Sequence, residues 1–137
     1  MAREATLAEV LHCRRVLIAE DDRALLELLA EYLELQGLDV TAVESGDAAL
    51  RSLQQEPTPD LVVLDIRMPG LPGDEVLRRM KAEPRLARIP VIAITGLRKG
   101  EVELLADPDE FLSKPFDIES LSAALRRMCE RAPARQA

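Results

Sequence analysis

The sequence predicts an α/β protein built on a doubly wound, five-stranded parallel sheet. Two short apolar runs, residues 16–19 and 61–64, are bounded by polar and turn residues, which is typical of strands buried on both faces. Three further strand patterns alternate with amphipathic helical patterns, as expected of parallel strands covered by helices. A chain of 137 residues is long enough for one domain with a substantial core and too short for two.

The segment before the first strand allows two interpretations. Thr6 is followed three residues later by Glu9, which matches a capping box. A short helix that buries Leu7, Val10 and Leu11 is one interpretation, and a frayed extension is the other. The sequence alone leaves both open.

A helix, an edge strand and a second helix follow the first strand. Asp22 is the predicted N-cap of the first of these helices, and Gly37 ends it. Its inward face consists of apolar residues at helical spacing: Leu25, Leu26, Leu29, Ala30 and Leu33. Residues 38–42 alternate apolar and polar side chains, which predicts an exposed edge strand. Ser45 is the predicted cap of the next helix, which turns inward Ala49, Leu50 and Leu53.

The second half of the chain continues the alternation. Residues 74–82 form a predicted helix that ends at Pro84 and turns inward Val76, Leu77 and Met80. Residues 89–94 form a predicted buried strand, and residues 101–106 a short, weak helix.

The last two predicted elements are a brief strand and a long helix. Residues 111–113 form the strand, and Asp117 caps the helix after it. The inward side of this helix is predicted to carry Ile118, Leu121, Leu125 and Met128. The assigned boundaries are an N-terminal extension (1–15), one domain (16–131) and a tail (132–137).

Polar side chains follow four of the predicted strands. Glu20 and Asp21 follow the first, Asp65 the central one, Thr95 the next and Lys114 the last. The carboxyl ends of parallel strands open on one edge of a sheet, where ligands bind in such folds. Three carboxylates crowded together repel one another unless a cation joins them, and Mg²⁺ suits such oxygen ligands.

These groups fit the chemistry of phosphoryl transfer. A carboxylate can act as a nucleophile toward phosphorus, giving an aspartyl phosphate. Lys114 supplies positive charge, and Thr95 supplies a hydrogen-bond donor for the phosphoryl oxygens. Each residue alone also has a structural interpretation: a helix cap for Asp21, a loop brace for Asp65, a turn residue for Thr95 and a solvated charge for Lys114. Their placement at successive strand ends favours a shared site.

Composition excludes several function classes. A net charge of −7 disfavours a nucleic-acid partner, and the absence of Trp disfavours stacking of bases or flavin rings. The sequence contains no GxGxxG or P-loop motif, which argues against a nucleotide-binding enzyme or a flavin carrier on this sheet. No apolar run reaches the length of a membrane span, so a cytoplasmic protein is expected. Cys13 and Cys129 are interpreted as spare thiols, and His12 as a surface residue.

Four segments together resemble the receiver domain of bacterial response regulators. They are residues 16–22 (VLIAEDD), 64–70 (LDIRMPG), 94–96 (ITG) and 111–115 (FLSKP). The resemblance runs from about residue 16 to about residue 128. It implies a flavodoxin-like (βα)5 fold with strand order 2-1-3-4-5.

The resemblance also implies a phosphoacceptor and a metal site. Asp65 would accept a phosphoryl group from a histidine kinase or a phosphotransfer protein. Glu20, Asp21, Asp65 and the backbone carbonyl of Arg67 would hold Mg²⁺. The domain would catalyse only its own phosphorylation and dephosphorylation and is not otherwise an enzyme.

The remaining implied roles concern switching and loop shape. Thr95 would move toward the phosphoryl group, and the rotamer of Phe111 would follow it. Gly96 would leave access open, and Lys114 would pair with the phosphoryl group. The Lys114–Pro115 bond resembles one that is commonly cis in this family. Pro69 and Gly70 would shape the loop beside Asp65.

The chain departs from the family pattern between Thr95 and Phe111. This stretch is about one helical turn shorter than is usual. Receivers usually signal through that region, so the output surface is affected while the chemistry of the site stays intact.

The leading functional prediction is a single-domain receiver that switches protein partners or relays phosphate, as a monomer or weak dimer. Two alternatives remain: a pseudo-receiver that binds partners without phosphorylation, and a receiver fragment of a larger regulator. No direct contact with nucleic acid and no membrane insertion are expected.

Overall fold

The computed structural model describes residues 5–10, 12–96 and 103–131. Its strands are β1 (Arg15–Ala19), β2 (Asp39–Val43), β3 (Leu61–Asp65), β4 (Val91–Thr95) and β5 (Glu110–Ser113). Its helices are α1 (Leu7–Val10), α2 (Arg23–Leu35), α3 (Gly46–Leu53), α4 (Gly73–Ala82) and α5 (Ile118–Arg131). No helix in the described ranges is long and apolar enough to cross a membrane.

The five strands form one parallel sheet in the order β2-β1-β3-β4-β5. This confirms the predicted fold class and strand order. Ala19 lies opposite Leu64 in the sheet register, and Asp65 lies opposite Ile94. Thr95 lies opposite Ser113, the residue before Lys114. The polar residues that end these strands are therefore brought to one edge, which we call the carboxyl edge.

Each face of the sheet covers its own apolar core. Successive side chains of a strand point to opposite faces, so Val62 and Val63 enter different cores. The first core contains α1, α2 and α5 and is closed by Leu29, Leu33 and Leu125, among others. The second contains α3 and α4, with Val76, Leu77 and Met80 fully buried as predicted.

Three helix caps predicted from the sequence are present. Asp22 accepts a hydrogen bond from the Leu25 N–H at 3.2 Å. Ser45 Oγ accepts one from the Ala48 N–H at 3.1 Å. Asp117 accepts one from the Ser120 N–H at 2.7 Å, and this bond lowers the pKa of Asp117. Side-chain acceptors satisfy backbone donors that a helix start leaves without partners, so these residues fix where the helices begin.

The N-terminal segment is a short helix, the first of the two interpretations. The Thr6 N–H donates to a Glu9 side-chain oxygen at 3.2 Å, as one half of a capping box does. Leu7 is buried, as predicted, and so is Ala8. The Val10 side chain and Leu11 lie outside the described residues.

Two predictions about secondary structure and orientation are wrong. Of the weak helix expected at residues 101–106, the described part, 103–106, is not helical. The proline of the Asp107-Pro108 pair lacks an N–H and disfavours a helical residue before it, so it works against a helix here. Ile118 is 37% exposed rather than inward, because it opens α5 where the helix emerges from a loop.

The interpretation of the cysteines as spare thiols is also wrong. Cys13 and Cys129 form a disulfide, with Cα atoms 5.5 Å apart. The two residues are 116 positions apart, so no local pattern could pair them. They meet because the chain before β1 packs against the end of α5 in the first core.

Candidate functional site

The predicted site residues lie at the carboxyl edge of the sheet. Glu20, directly after β1, is 0% exposed, and Asp65, the last residue of β3, is 3% exposed. Thr95 ends β4 and is 4% exposed. These are the buried polar and charged residues of the described chain. Burying charged groups is unfavourable without partners, so their concentration at one edge marks a built site.

Three acids form the centre of the site. Glu20, Asp21 and Asp65 each offer a carboxylate oxygen, and these oxygens lie within 4.8 Å of one another. Glu20 and Asp65 are buried, whereas Asp21 is exposed and opens the cluster to solvent. A group of hard oxygen donors with one open side fits a divalent cation such as Mg²⁺.

Lys114 provides the compensating positive charge. Its Nζ lies 2.6 Å from Glu20 Oε1 and 3.2 Å from Asp65 Oδ2. Its backbone N–H donates to the Thr95 carbonyl at 2.8 Å, which holds the chain after β5 beside β4. Burial by itself lowers the pKa of Lys114, but the close contact of its Nζ with Glu20 Oε1 and the negative charges of both acids outweigh burial and raise the pKa overall.

Glu20 is the most constrained of the acids. One side-chain oxygen, Oε2, accepts a hydrogen bond from the Asp22 N–H at 3.1 Å. The other, Oε1, is buried and approaches Lys114 without a hydrogen bond of normal geometry. Burial raises the pKa of Glu20, and the neighbouring Asp65 raises it further. Glu20 Oε1, buried and without a hydrogen bond of normal geometry, is therefore available to coordinate a cation.

Asp65 is fixed from two directions. Its Oδ1 accepts a hydrogen bond from the Arg67 N–H at 3.0 Å, and its Oδ2 accepts one from Lys114 Nζ at 3.2 Å. The two bonds hold the carboxylate in one orientation at the end of β3.

The loop after Asp65 is held against the start of α4. The Gly73 N–H donates to the Ile66 carbonyl at 2.9 Å. A Cβ on Gly73 would lie 2.1 Å from the Asp65 carbonyl oxygen, so only glycine permits this approach. Gly70 has a φ of +74°, which explains why a glycine shapes this loop, and Met68 is buried in the second core.

The remaining predicted residues surround this centre. Gly96 follows Thr95, and a Cβ built on it would meet nothing within 4 Å, so the approach beside Thr95 is open. Phe111 is half-buried in β5, opposite Ala93. The Lys114–Pro115 bond is cis, as predicted, and Glu56–Pro57 is a second cis bond that was not predicted.

Sequence reasoning did not identify which backbone N–H groups orient the two buried acids. The N–H groups of Asp22 and Arg67 orient Glu20 and Asp65, and every residue except proline carries such a donor. Gly73 was also missed as a site-supporting residue. A glycine at the start of a helix directly after the loop was the available signal.

The fold and the geometry of the site are those of one protein family, which comparison with known proteins identifies. The family model of the response regulator receiver domain matches residues 16–126. The chain belongs to this family.

Curated relatives agree with this assignment. PhoB, the phosphate regulon transcriptional regulatory protein of Rhizobium meliloti (strain 1021), is 37% identical over 122 residues, which are 86% of this chain and 53% of that protein. RpaA of Synechocystis sp. (strain ATCC 27184 / PCC 6803 / Kazusa), a DNA-binding dual master transcriptional regulator, is 33% identical over 85% of this chain and 49% of its own length. The chain thus spans about half the length of these relatives.

Solved structures support the same assignment. The receiver domain of sensor histidine kinase PA1611 from Pseudomonas aeruginosa PAO1, with magnesium coordinated in its active site cleft, has a TM-score of 0.78 and 30% identity and covers 86% of this chain and 98% of its own. TrrA of Thermotoga maritima, in complex with Mg²⁺–BeF, has a TM-score of 0.74 and 28% identity and covers 84% of this chain and 98% of its own.

Proposed function

We propose that this protein is a phosphoacceptor receiver that takes a phosphoryl group on Asp65 from a histidine kinase or a phosphotransfer protein in a Mg²⁺-dependent reaction. The observation that carries the proposal is the buried Asp65 carboxylate, held by Lys114 on one oxygen and by the Arg67 N–H on the other. Membership of the receiver family and Mg²⁺-containing structural relatives support it.

The residues at the carboxyl edge fit a magnesium ion. Glu20, Asp21 and Asp65 would hold it through carboxylate oxygens, together with the backbone carbonyl of Arg67. Glu20 Oε1, buried and without a well-formed hydrogen bond, is the kind of oxygen that such an ion would satisfy. When bound, the ion would neutralise negative charge on the acids and on the phosphoryl oxygens.

Each residue around Asp65 has a separate role in the proposed phosphoryl transfer. Asp65 is the nucleophile, and its orientation by the Arg67 N–H leaves one carboxylate oxygen directed toward Lys114. Lys114 exchanges part of its contact with Glu20 and Asp65 for a phosphoryl oxygen. Thr95 donates a hydrogen bond to the same group, Gly96 leaves room for it, and Phe111 follows Thr95.

The proposed signal passes to another protein. We place this action in the cytoplasm, where the domain (residues 16–131) would switch a downstream partner or relay its phosphoryl group as a monomer or weak dimer. A net charge of −7 favours protein partners over direct contact with nucleic acid. DNA binding by relatives such as RpaA is a property of those proteins, of which this chain matches about half.

The test is intact mass after incubation with acetyl phosphate, with and without Mg²⁺. We expect a Mg²⁺-dependent gain of one phosphoryl group that Asp65→Asn abolishes. Asp39→Asn is the matched control, because Asp39 is an exposed acid at the opposite edge of the sheet and its loss should leave labelling unchanged. Undiminished labelling of Asp65→Asn would refute the assignment.

A pseudo-receiver is the second candidate. In the described part of the β4–β5 connection, residues 103–109, no helix covers the sheet, which favours an altered output surface. This candidate predicts no mass gain in a protein whose circular dichroism is that of a folded α/β domain. Stable phosphorylation of Asp65 would eliminate it.

A further inference from the structure

The disulfide Cys13–Cys129 lies outside the phosphoacceptor site. Cys13 precedes β1, so it sits at the amino edge of the sheet, opposite the carboxyl edge that carries Asp65. Cys129 lies in the last turn of α5, a helix of 14 residues that starts near Lys114 and spans about 20 Å. The bond therefore acts at a distance from the phosphoryl chemistry.

The disulfide joins the N-terminal segment, which is also attached to α2, to the last turn of α5. On the side of α2, the segment is held by two hydrogen bonds to Gln36: the Leu7 N–H donates to its side chain and the Ala8 N–H to its carbonyl, both at 3.0 Å. The Ala8 side chain lies close against Gly37, where an added Cβ would be 3.0 Å from the Ala8 Cβ. On the side of α5, the covalent link is Cys129.

The chain is anchored again directly after Cys13. The N–H groups of Arg14 and Arg15 both donate to Asp60 Oδ2, at 2.8 and 2.9 Å. Opening of the segment is thus confined to the residues up to Cys13. A four-residue helix that is attached to α2 through Gln36 is a small cooperative unit, so it can open while the sheet stays folded.

We propose that Cys13 and Cys129 form a reversible redox latch that fastens the N-terminal segment (described residues 5–10, 12 and 13) to the end of α5 when oxidised and releases it when reduced. This step rests on the cytoplasmic action proposed above. Disulfides of cytoplasmic proteins are usually transient and redox-sensing rather than structural. Both cysteines of the chain are committed to this one pair.

The reaction is thiol–disulfide exchange with a low-molecular-weight disulfide of the glutathione type. Both Sγ–H bonds of the protein are lost and one Sγ–Sγ bond forms. The two electrons and two protons convert the small disulfide into two thiols. A dithiol reverses the reaction. Both cysteines are buried, at 0% and 1% exposure, so exchange requires the segment to open first.

Reduction of a latch changes how readily the N-terminal segment opens, whereas reduction of a purely structural disulfide would lower the stability of the whole domain. Oxidation closes the segment at both ends, on Gln36 and on Cys129. Reduction removes the covalent attachment to Cys129 and keeps the hydrogen bonds to Gln36. The amides of Leu7 and Ala8 then exchange through opening of the segment alone. The phosphoacceptor site stays in place, because its contacts lie at the other edge.

The first experiment follows the redox state of the folded protein in glutathione buffers, by mass after alkylation of free thiols. We expect a reversible transition between disulfide and dithiol. A protein that stays oxidised in every buffer in which it remains folded, or stays reduced in excess oxidised glutathione, would overturn the latch.

The second experiment measures hydrogen exchange at the Leu7 and Ala8 amides in both states. We expect exchange about tenfold or more faster after reduction with dithiothreitol. Cys129→Ser and Cys13→Ser should each match the reduced protein and ignore the reductant. A local latch would be refuted if reduction left the exchange rates of the Leu7 and Ala8 amides unchanged. It would also be refuted if, in both states, these amides exchanged with the same opening free energy as the amides of β3. Neither readout uses Asp65, so failure here is distinct from failure of the phosphoacceptor role.

Discussion

The two edges of the sheet differ in the kind of residue that they bury and in the effect of that burial on stability. At the carboxyl edge, the acids Glu20 and Asp65 are buried beside the partly exposed Lys114, an arrangement that costs stability. At the amino edge, Leu7 and the Cys13–Cys129 bond close an apolar core. The charged groups of the candidate site are thus concentrated where the strands end, whereas the opposite edge closes an apolar core. Substitutions at the amino edge should therefore cost stability, and neutralising acids at the carboxyl edge should increase it.

The largest expected effect comes from removing the disulfide. Cross-linking residues 116 positions apart restricts the unfolded chain, and the entropy model values such a link at about 5 kcal/mol. We expect Cys13→Ser/Cys129→Ser to lose up to that amount of unfolding free energy in urea while remaining folded. Fully reduced wild type is the control and should match the variant. Equal stability of the variant and the oxidised wild type would contradict this prediction.

The second effect tests the backbone that supports the site. Gly73→Ala places a Cβ 2.1 Å from the Asp65 carbonyl oxygen, against backbone that cannot turn aside. We expect a loss of about 3 kcal/mol in urea unfolding, because overpacking forces backbone shifts.

Gly96→Ala is the matched control at the same edge. A Cβ there meets nothing within 4 Å, so its unfolding free energy should stay near that of wild type. If both variants lost equal stability, the contact between Gly73 and the Asp65 backbone would not be the cause.

The contrast between the edges also explains what sequence could predict. Strand ends are local patterns, so Glu20, Asp65, Thr95 and Lys114 were assigned to one edge from the chain alone. Helix caps such as Ser45 were equally local. The fold and the side chains of the site were therefore predictable, and the resemblance to receivers supplied the strand order.

The parts that sequence did not predict depend on distant contacts. The pairing of Cys13 with Cys129 requires the N-terminal segment to pack against α5, a tertiary contact with no short-range pattern. The exposure of Ile118 depends on how α5 leaves its loop. The orientation of Glu20 and Asp65 depends on backbone N–H groups that carry no sequence signal.

The third effect separates the cation from the acids of the carboxyl edge. Lys114→Met removes the positive charge beside Glu20 and Asp65 and leaves the buried acids to repel each other. We expect a loss of about 2 kcal/mol in Mg²⁺-free buffer, less than for a fully buried pair because Lys114 is partly exposed.

Asp65→Asn is the control of opposite sign. It removes one acid and keeps Lys114 beside Glu20, so we expect a gain of about 1 kcal/mol without Mg²⁺. Destabilisation by both substitutions would mean that repulsion among the acids is not the dominant energy at this edge.

The smallest effect is a pH dependence that arises from Glu20. Burial and the neighbouring Asp65 raise the pKa of Glu20 above its ordinary 4.5, so the folded protein holds this proton more tightly than the unfolded chain does. The stability contributed by the protonated form is fully present below pH 4.5 and is lost as pH rises through the folded pKa. In Mg²⁺-free buffer, Glu20→Gln should therefore be more stable than wild type at neutral pH, with a difference that shrinks toward pH 4.5.

Urea unfolding of both proteins across this range measures the difference, and other titrating groups cancel in the comparison. The raised pKa of Lys114 adds nothing here, because its contribution is lost only above its ordinary 10.5. A difference that stayed constant or widened toward acid would show that Glu20 is not held at a raised pKa, and the carboxyl edge would then lose its assigned cost in stability.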